Sequence, residues 1–303
     1  MEKFKGLIAA PFTPMDDEGE VKYEVVDQMM DLYKKNGIVG SFVGGSTGEG
    51  VSLTFQEKVK LIEKWGSLKN DQVKIIFMLG GTSYREMQEL ALCAKENQID
   101  GISALGPYYF RPASEAVLLD YLQRIVEQVP ELPFYYYHIP ALTGVELSMP
   151  RLLQLADGQM PSLAGIKFTA TNIMDYHLCQ MYAGGKYDMI WGCDEALLSG
   201  LVVGAQSAIG STYNYAAPLY YQVISAFEQG KNKEAEQLQR KAVQMVNLLM
   251  KYGGTAAGKG FMKVIGLDCG WFRAPLPVLT IPDIEALKVD LEAIGFFEWC
   301  SKF

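Results

Sequence analysis

The sequence predicts an α/β fold, a (β/α)8 TIM barrel followed by a C-terminal helical extension. Eight short apolar runs alternate with amphipathic stretches over the first ~220 residues, a count and length that match eight βα units. No nucleotide-binding glycine fingerprint follows the first run, which disfavours a doubly wound sheet. Beyond about Phe227 the strand-like runs stop and only helical patterning continues.

The predicted strands are 7–11, 38–44, 74–79, 101–105, 134–137, 164–168, 189–192 and 207–210. They are brief apolar runs bounded by turn formers or small residues, as buried parallel strands are. Between them, 22–35, 55–68, 84–96 and 114–129 read as amphipathic helices. The tail predicts helices over 228–252, 258–267 and 282–294. The expected organisation is a barrel over 1–226 and a three-helix extension over 227–303, packed on it with no low-complexity linker.

With 49% apolar and 20% charged residues the chain has ample material for a core. A net charge of −8 argues against nucleic acid or an anionic membrane as partner, but leaves room for a small anionic substrate held by local donors. The five cysteines (Cys93, Cys179, Cys193, Cys269, Cys300) are odd in number and form no C-x-x-C pair, as expected of free thiols in a reducing compartment. The two histidines, His138 and His177, lie in no zinc-like spacing. The apolar run after Met1 is too short for a signal peptide or a membrane span, so a cytoplasmic protein is expected.

Chemistry in such a barrel gathers where strands end. Lys167 lies inside the run Leu163-Ala164-Gly165-Ile166-Lys167-Phe168-Thr169, where an ammonium is costly unless paired or deprotonated. A lysine desolvated in this way is a nucleophile toward carbonyl groups, whereas one at a strand end can instead snorkel to solvent. The preceding strand holds Tyr135-Tyr136-Tyr137-His138, and neighbouring strands would bring a tyrosine hydroxyl to the lysine amine. After the second strand, Gly44-Gly45-Ser46-Thr47-Gly48-Glu49-Gly50 is a glycine-dense loop opening a helix. Its amides and the Ser46 and Thr47 hydroxyls suit a carboxylate or phosphate, and its glycines equally suit a tight turn. After the seventh, Gly192-Cys193-Asp194-Glu195 sets two carboxylates at a strand end, fit for polyol hydroxyls or, for Asp194, for helix capping. Ser211 and Thr212 follow the eighth strand. The stretch Gly253-Gly254-Thr255-Ala256-Ala257-Gly258-Lys259-Gly260 meets G-x-x-x-x-G-K, but Gly260 stands where the magnesium-binding hydroxyl is required, and the motif follows a helix. It reads as a helix-helix turn.

Three motifs together, Gly44-Gly45-Ser46-Thr47-Gly48-Glu49, Tyr137-x-Ile139-Pro140-x-x-Thr143-Gly144 and Gly165-Ile166-Lys167, resemble the class I aldolase family of N-acetylneuraminate lyase and dihydrodipicolinate synthase. The resemblance runs from Gly6 to about Tyr215, with a tail of consistent length. It implies a pyruvate-dependent enzyme with Lys167 as Schiff-base lysine and Tyr137 as proton relay, with no metal or organic cofactor because the imine is the electron sink. It also implies a homotetramer. Ser46 and Thr47 would hold the substrate carboxylate. The synthase branch carries an arginine where this chain has Leu142, whereas Gly192-x-Asp194-Glu195 fits the lyase branch. In that branch these residues and Ser211 hold the hydroxylated tail of the sugar acid, with Thr169 on the aldehyde side. The implied reaction is reversible cleavage of N-acetylneuraminate to pyruvate and N-acetylmannosamine. The alternatives are cleavage of a 2-keto-3-deoxy sugar acid, the synthase reaction, or a barrel that only binds ligands. Tyr109 matches a residue that reaches a neighbouring subunit's site, with core packing as its alternative. His138 departs from the family's usual asparagine; alternation turns it off the Tyr137 face, so a structural role is expected.

Overall fold

Eight parallel strands close on themselves in sequence order in the computed structural model, which describes residues 3–303. They are β1 (Gly6–Ala9), β2 (Gly40–Val43), β3 (Lys74–Met78), β4 (Gly101–Leu105), β5 (Phe134–His138), β6 (Leu163–Phe168), β7 (Asp188–Trp191) and β8 (Ser207–Gly210). β8 returns to β1 in register from Gly6↔Ser207 to Ala9↔Gly210, closing the barrel as expected. Alternation divides the side chains. Ile8, Phe42, Ile76, Tyr137, Ile190 and Ile209 pack inside the barrel, while Tyr136, Ile166 and Phe168 face the helices.

The helices of the barrel are α1 (Val25–Lys35), α2 (Phe55–Ser67), α3 (Tyr84–Glu96), α4 (Glu115–Val126), α5 (Pro140–Thr143), α6 (Met149–Ala156), α7 (Ile173–Met181), α8 (Leu197–Val202) and α9 (Tyr213–Glu228). Local chemistry starts several of them. Thr54 and Glu57 form a reciprocal capping box on α2, and the Ser83 and Ser114 hydroxyls accept the third amides of α3 and α4. The tail holds α10 (Asn232–Lys251), α11 (Ala257–Val264), α12 (Ile281–Ala293) and the one-turn α13 (Phe296–Trp299).

Three expectations about the tail need correction. A division at 226/227 would cut the last turn of α9, which runs to Glu228. The helix expected over 228–252 is instead the end of α9 and all of α10. Gly230 separates them in a left-handed conformation, φ 71°, that no helix accommodates. The motif at 253–260 is likewise only half a turn: Gly253 and Gly254 turn the chain, and Lys259 already lies inside α11.

The N-terminal mouth of the barrel is plugged by Phe4, whose ring centroid lies 6.1 Å from that of Tyr135. Beside it Asp188 is buried and accepts the Phe4 N–H at 3.1 Å. Burial pushes its carboxyl up from 3.8 to about 6. The folded state therefore binds the proton more tightly than the unfolded chain. Stability is lost as pH rises from 3.8 to 6, and the penalty is complete above that window. Asp188→Asn should recover about 1–2 kcal/mol at pH 8. Thermal scans should show a higher Tm at pH 8 and none of that gain near pH 4.

Candidate active site

Lys167 of β6 stands beside Tyr137 of β5 and Ile190 of β7 in the parallel register. Its side chain enters the barrel and is 4% exposed, against 3% for Tyr137, so it does not snorkel to solvent. The Nζ atom lies 3.9 Å from the Tyr137 ring centroid and 4.1 Å from that of Phe42. The two rings meet edge to face, 5.4 Å apart, and form a corner around the amine. The amine thus meets the phenol's ring face, a cation–π contact, whereas the sequence suggested a meeting at the hydroxyl. Among the described residues no carboxylate forms an ion pair with it. Burial lowers its pKa from 10.5 to about 7, opposed in part by the Asp194 charge. Near neutral pH a large share of this lysine is the free, nucleophilic amine.

The Tyr137 hydroxyl points to the loop after β2, 3.4 Å from Ser46 Oγ. Burial pushes its pKa up to about 12, with the Ser46 hydroxyl opposing. A desolvated phenolate is costly, and a lysine that is only partly protonated near neutral pH does little to offset it.

The Ser46 loop is a run of turns and not a helix start. Its amides bond within it, Gly48 to Gly45 O at 3.0 Å and Gly50 to Gly45 O at 3.2 Å, and α2 begins only at Phe55. Gly50 permits this fold: a Cβ there would lie 1.7 Å from Gly44 O. Neither the Ser46 nor the Thr47 N–H donates to a protein acceptor among the described residues. Two successive amides without a protein acceptor at a barrel mouth are the kind of donors an anion-binding concavity uses.

On the far side, Gly192 is required by its neighbour. A Cβ there would stand 2.0 Å from Thr169 Oγ1, a buried hydroxyl with no protein partner among the described residues. Asp194 does not cap a helix. Its Oδ2 accepts the Thr212 N–H at 2.9 Å and the Thr212 hydroxyl at 2.5 Å, and Gly210 leaves room for the carboxylate. The Tyr220 hydroxyl then donates to Thr212 Oγ1 at 2.8 Å. Asp194 therefore ties the loop after β7 to that after β8. Glu195 beside it is exposed, and Ser211 is half-buried at the start of the β8 loop.

Tyr109 lies outside this group. It is 79% exposed and packs edge to face on Phe110, itself 84% exposed, which removes core packing as its role. His138 faces the helices, with its ring 5.1 Å from that of Phe168, and burial lowers its pKa to about 4. It is a neutral packing residue, as alternation predicts. The Cys193 thiol is pushed up to about 12 by burial, which leaves it protonated.

A family model described as the dihydrodipicolinate synthetase family matches residues 3–294. The chain belongs to the dihydrodipicolinate synthetase family. Within this family it is 36% identical to rat N-acetylneuraminate lyase over 98% of this chain and 95% of that one. The solved N-acetylneuraminate lyase of Proteus mirabilis is 37% identical and superposes with a TM-score of 0.94, covering 97% of this chain and all (100%) of that one. The Aliivibrio salmonicida enzyme is 36% identical, with a TM-score of 0.94 over 98% of each chain.

Several parts of this dihydrodipicolinate synthetase-family site were missed from sequence. Phe42 lies in the strand expected over 38–44, but nothing in the sequence marked it as a wall of the lysine site. Arg111, from the loop after β4, donates Nε–H to Thr143 O at 3.0 Å and lies over Gly144, where a Cβ would come within 2.4 Å of the guanidinium. Exposed Leu142 thus sits in a turn that borrows a guanidinium from another loop. Glu49 and Lys259, 210 positions apart, form a buried ion pair with no local signal at all.

Proposed function

We propose that this chain is an N-acetylneuraminate lyase, a class I aldolase that reversibly cleaves sialic acid to pyruvate and N-acetylmannosamine. One observation carries the chemistry: a buried amine with a pKa of about 7, held between two aromatic faces with no counter-ion among the described residues. The relatives at 36–37% identity over nearly the whole chain carry the substrate assignment.

In this reading Lys167 Nζ attacks the keto carbon at position 2 of the open-chain substrate; the carbinolamine takes up a proton from solvent and loses its hydroxyl as water, which leaves a protonated imine. The Ser46 and Thr47 amides and hydroxyls hold the carboxylate and so set the keto carbon against the amine. Tyr137 takes the proton of the hydroxyl on carbon 4 while passing its own to the substrate carboxylate. A neutral phenol of raised pKa acts in such a relay without ever becoming a free phenolate. The bond between carbons 3 and 4 breaks, its electrons move into the imine, and N-acetylmannosamine leaves as the aldehyde. The remaining enamine is protonated at carbon 3, and water hydrolyses the imine to release pyruvate. Thr169, with its unpartnered hydroxyl, serves the aldehyde side; Gly192, Asp194, Glu195 and Ser211 serve the polyol tail.

Sialic acid turnover, followed by coupling pyruvate release to a dehydrogenase, tests the assignment. Cleavage of 2-keto-3-deoxy sugar acids in its place would move the chain to another pyruvate aldolase. Asp194→Ala should raise the KM for sialic acid by roughly tenfold while the pyruvate adduct on Lys167 still forms. Because the Asp194 charge raises the lysine pKa, the pH midpoint of adduct formation should move down in this variant. Equal loss of cleavage and adduct would assign Asp194 to folding alone.

A homotetramer in a reducing, cytoplasmic setting belongs to the same proposal. Support comes from five free thiols and from two exposed apolar surfaces. One is Tyr109 and Phe110 with Leu142; the other is the stripe Met174, Leu178 and Met181 along α7. Sedimentation of the wild type and of Tyr109→Ala would test whether the aromatic pair belongs to an interface between copies. An unchanged assembly with unchanged turnover would leave Tyr109 without that role.

A further inference from the structure

The C-terminal helices reach both loops on which the proposed substrate sites stand. Lys259 of α11 is fully buried, with Nζ 3.0 Å from Glu49 Oε1 and 2.6 Å from Trp271 O. The second Glu49 oxygen accepts the Arg273 N–H at 2.8 Å. Glu49 lies two residues beyond Thr47 and has a left-handed backbone, φ 57°, which a glutamate adopts only where its surroundings hold it. On the other side of the mouth, Gln239 of α10 is 9% exposed and brackets the loop after β7. Its Nε2 donates to Glu195 O at 2.9 Å, and its Oε1 accepts the Leu198 N–H at 2.9 Å. A planar amide bound at both ends to one backbone segment allows that segment a single placement.

We infer that the helical extension positions the substrate through two separate clamps. Lys259 with Glu49 sets the carboxylate cradle at Ser46 and Thr47, and Gln239 sets the sugar-side loop at Glu195. A buried ion pair adds little net stability over an apolar pair of equal size, so what the Lys259 contact supplies is placement. The clamped loops leave β2 and β7, which lie three strands apart around the barrel, so each clamp can be removed without touching the other. The lysine of the G-x-x-x-x-G-K stretch thereby has a role unrelated to nucleotides.

This inference rests on the aldolase reading, and two variants separate them. Gln239→Met removes the bracketing amide. The Lys259→Met/Glu49→Gln double variant removes the charges together, so that no lone buried ion is left to unfold the chain. Each is compared with wild type for KM and kcat on sialic acid, for the pyruvate concentration giving half-maximal borohydride-trapped adduct, and for Tm. Gln239→Met should raise the sialic acid KM roughly tenfold and leave the adduct curve unchanged, whereas the double variant should shift the adduct curve by a similar factor. Parallel losses in every readout, in step with a lower Tm, would reduce both contacts to fold maintenance. Unchanged curves in folded variants would mean that they position nothing. Absent sialic acid cleavage by the wild type would defeat the substrate assignment alone. The clamps would then still be judged on the adduct, which only the double variant should shift.

Discussion

Lys167→Met should lose the borohydride-trapped pyruvate adduct and lower sialic acid cleavage by about 10^4-fold or more, because the substitution removes the amine that forms the imine. Mass spectrometry of the reduced wild type should place the pyruvyl mass on Lys167; a pyruvyl mass elsewhere would end the Schiff-base reading. The wild-type trapping rate should climb through pH 7, following the fraction of free amine. The same substitution should make the fold more stable. An unfolded lysine keeps its proton up to about 10.5, but this one holds it in the folded chain only below about 7. The unfolded state therefore binds more protons between those values, so stability rises with pH across that window and the full penalty applies below it. Removing the amine should return on the order of a few kcal/mol at neutral pH. A variant that is inactive yet melts higher is the expected outcome, since nucleophilicity here is obtained by burying a group that water would rather solvate.

Tyr137→Phe should keep the adduct and lose turnover by about 10^2–10^4-fold, the range for a positioned proton-transfer group. The hydroxyl lies 3.4 Å from Ser46 Oγ, a long and weak contact, so its loss breaks no strong buried bond and the fold should be intact. The ring also forms one wall around the lysine amine, and phenylalanine preserves it. Trapping kinetics unchanged beside collapsed cleavage would assign the hydroxyl to carbon–carbon bond breaking. Cleavage unchanged in the variant would take Tyr137 out of the relay.

How much was legible depended on whether the determining contacts were local. The strands were placed within a few residues, because a buried parallel strand must be a short apolar run between turns. Lys167 stood out because a charged residue interrupts such a run, and Tyr137 because the next strand back ended in a recognisable turn. The break between α9 and α10 was missed because one glycine can sit within a helix or end it, and only packing decides which.

The sequence by itself determined the barrel, the strand ends that bear chemistry, the lysine and the tyrosine, since hydrophobic periodicity and turn chemistry act over a few residues. Tertiary structure alone decided what surrounds them: Phe42 beneath the amine, Thr212 on Asp194, and Lys259 and Gln239 holding loops far away in the chain. Barrel closure brings those partners together, and a pKa or a loop position depends on what lies within a few ångströms in space, whatever the separation along the chain.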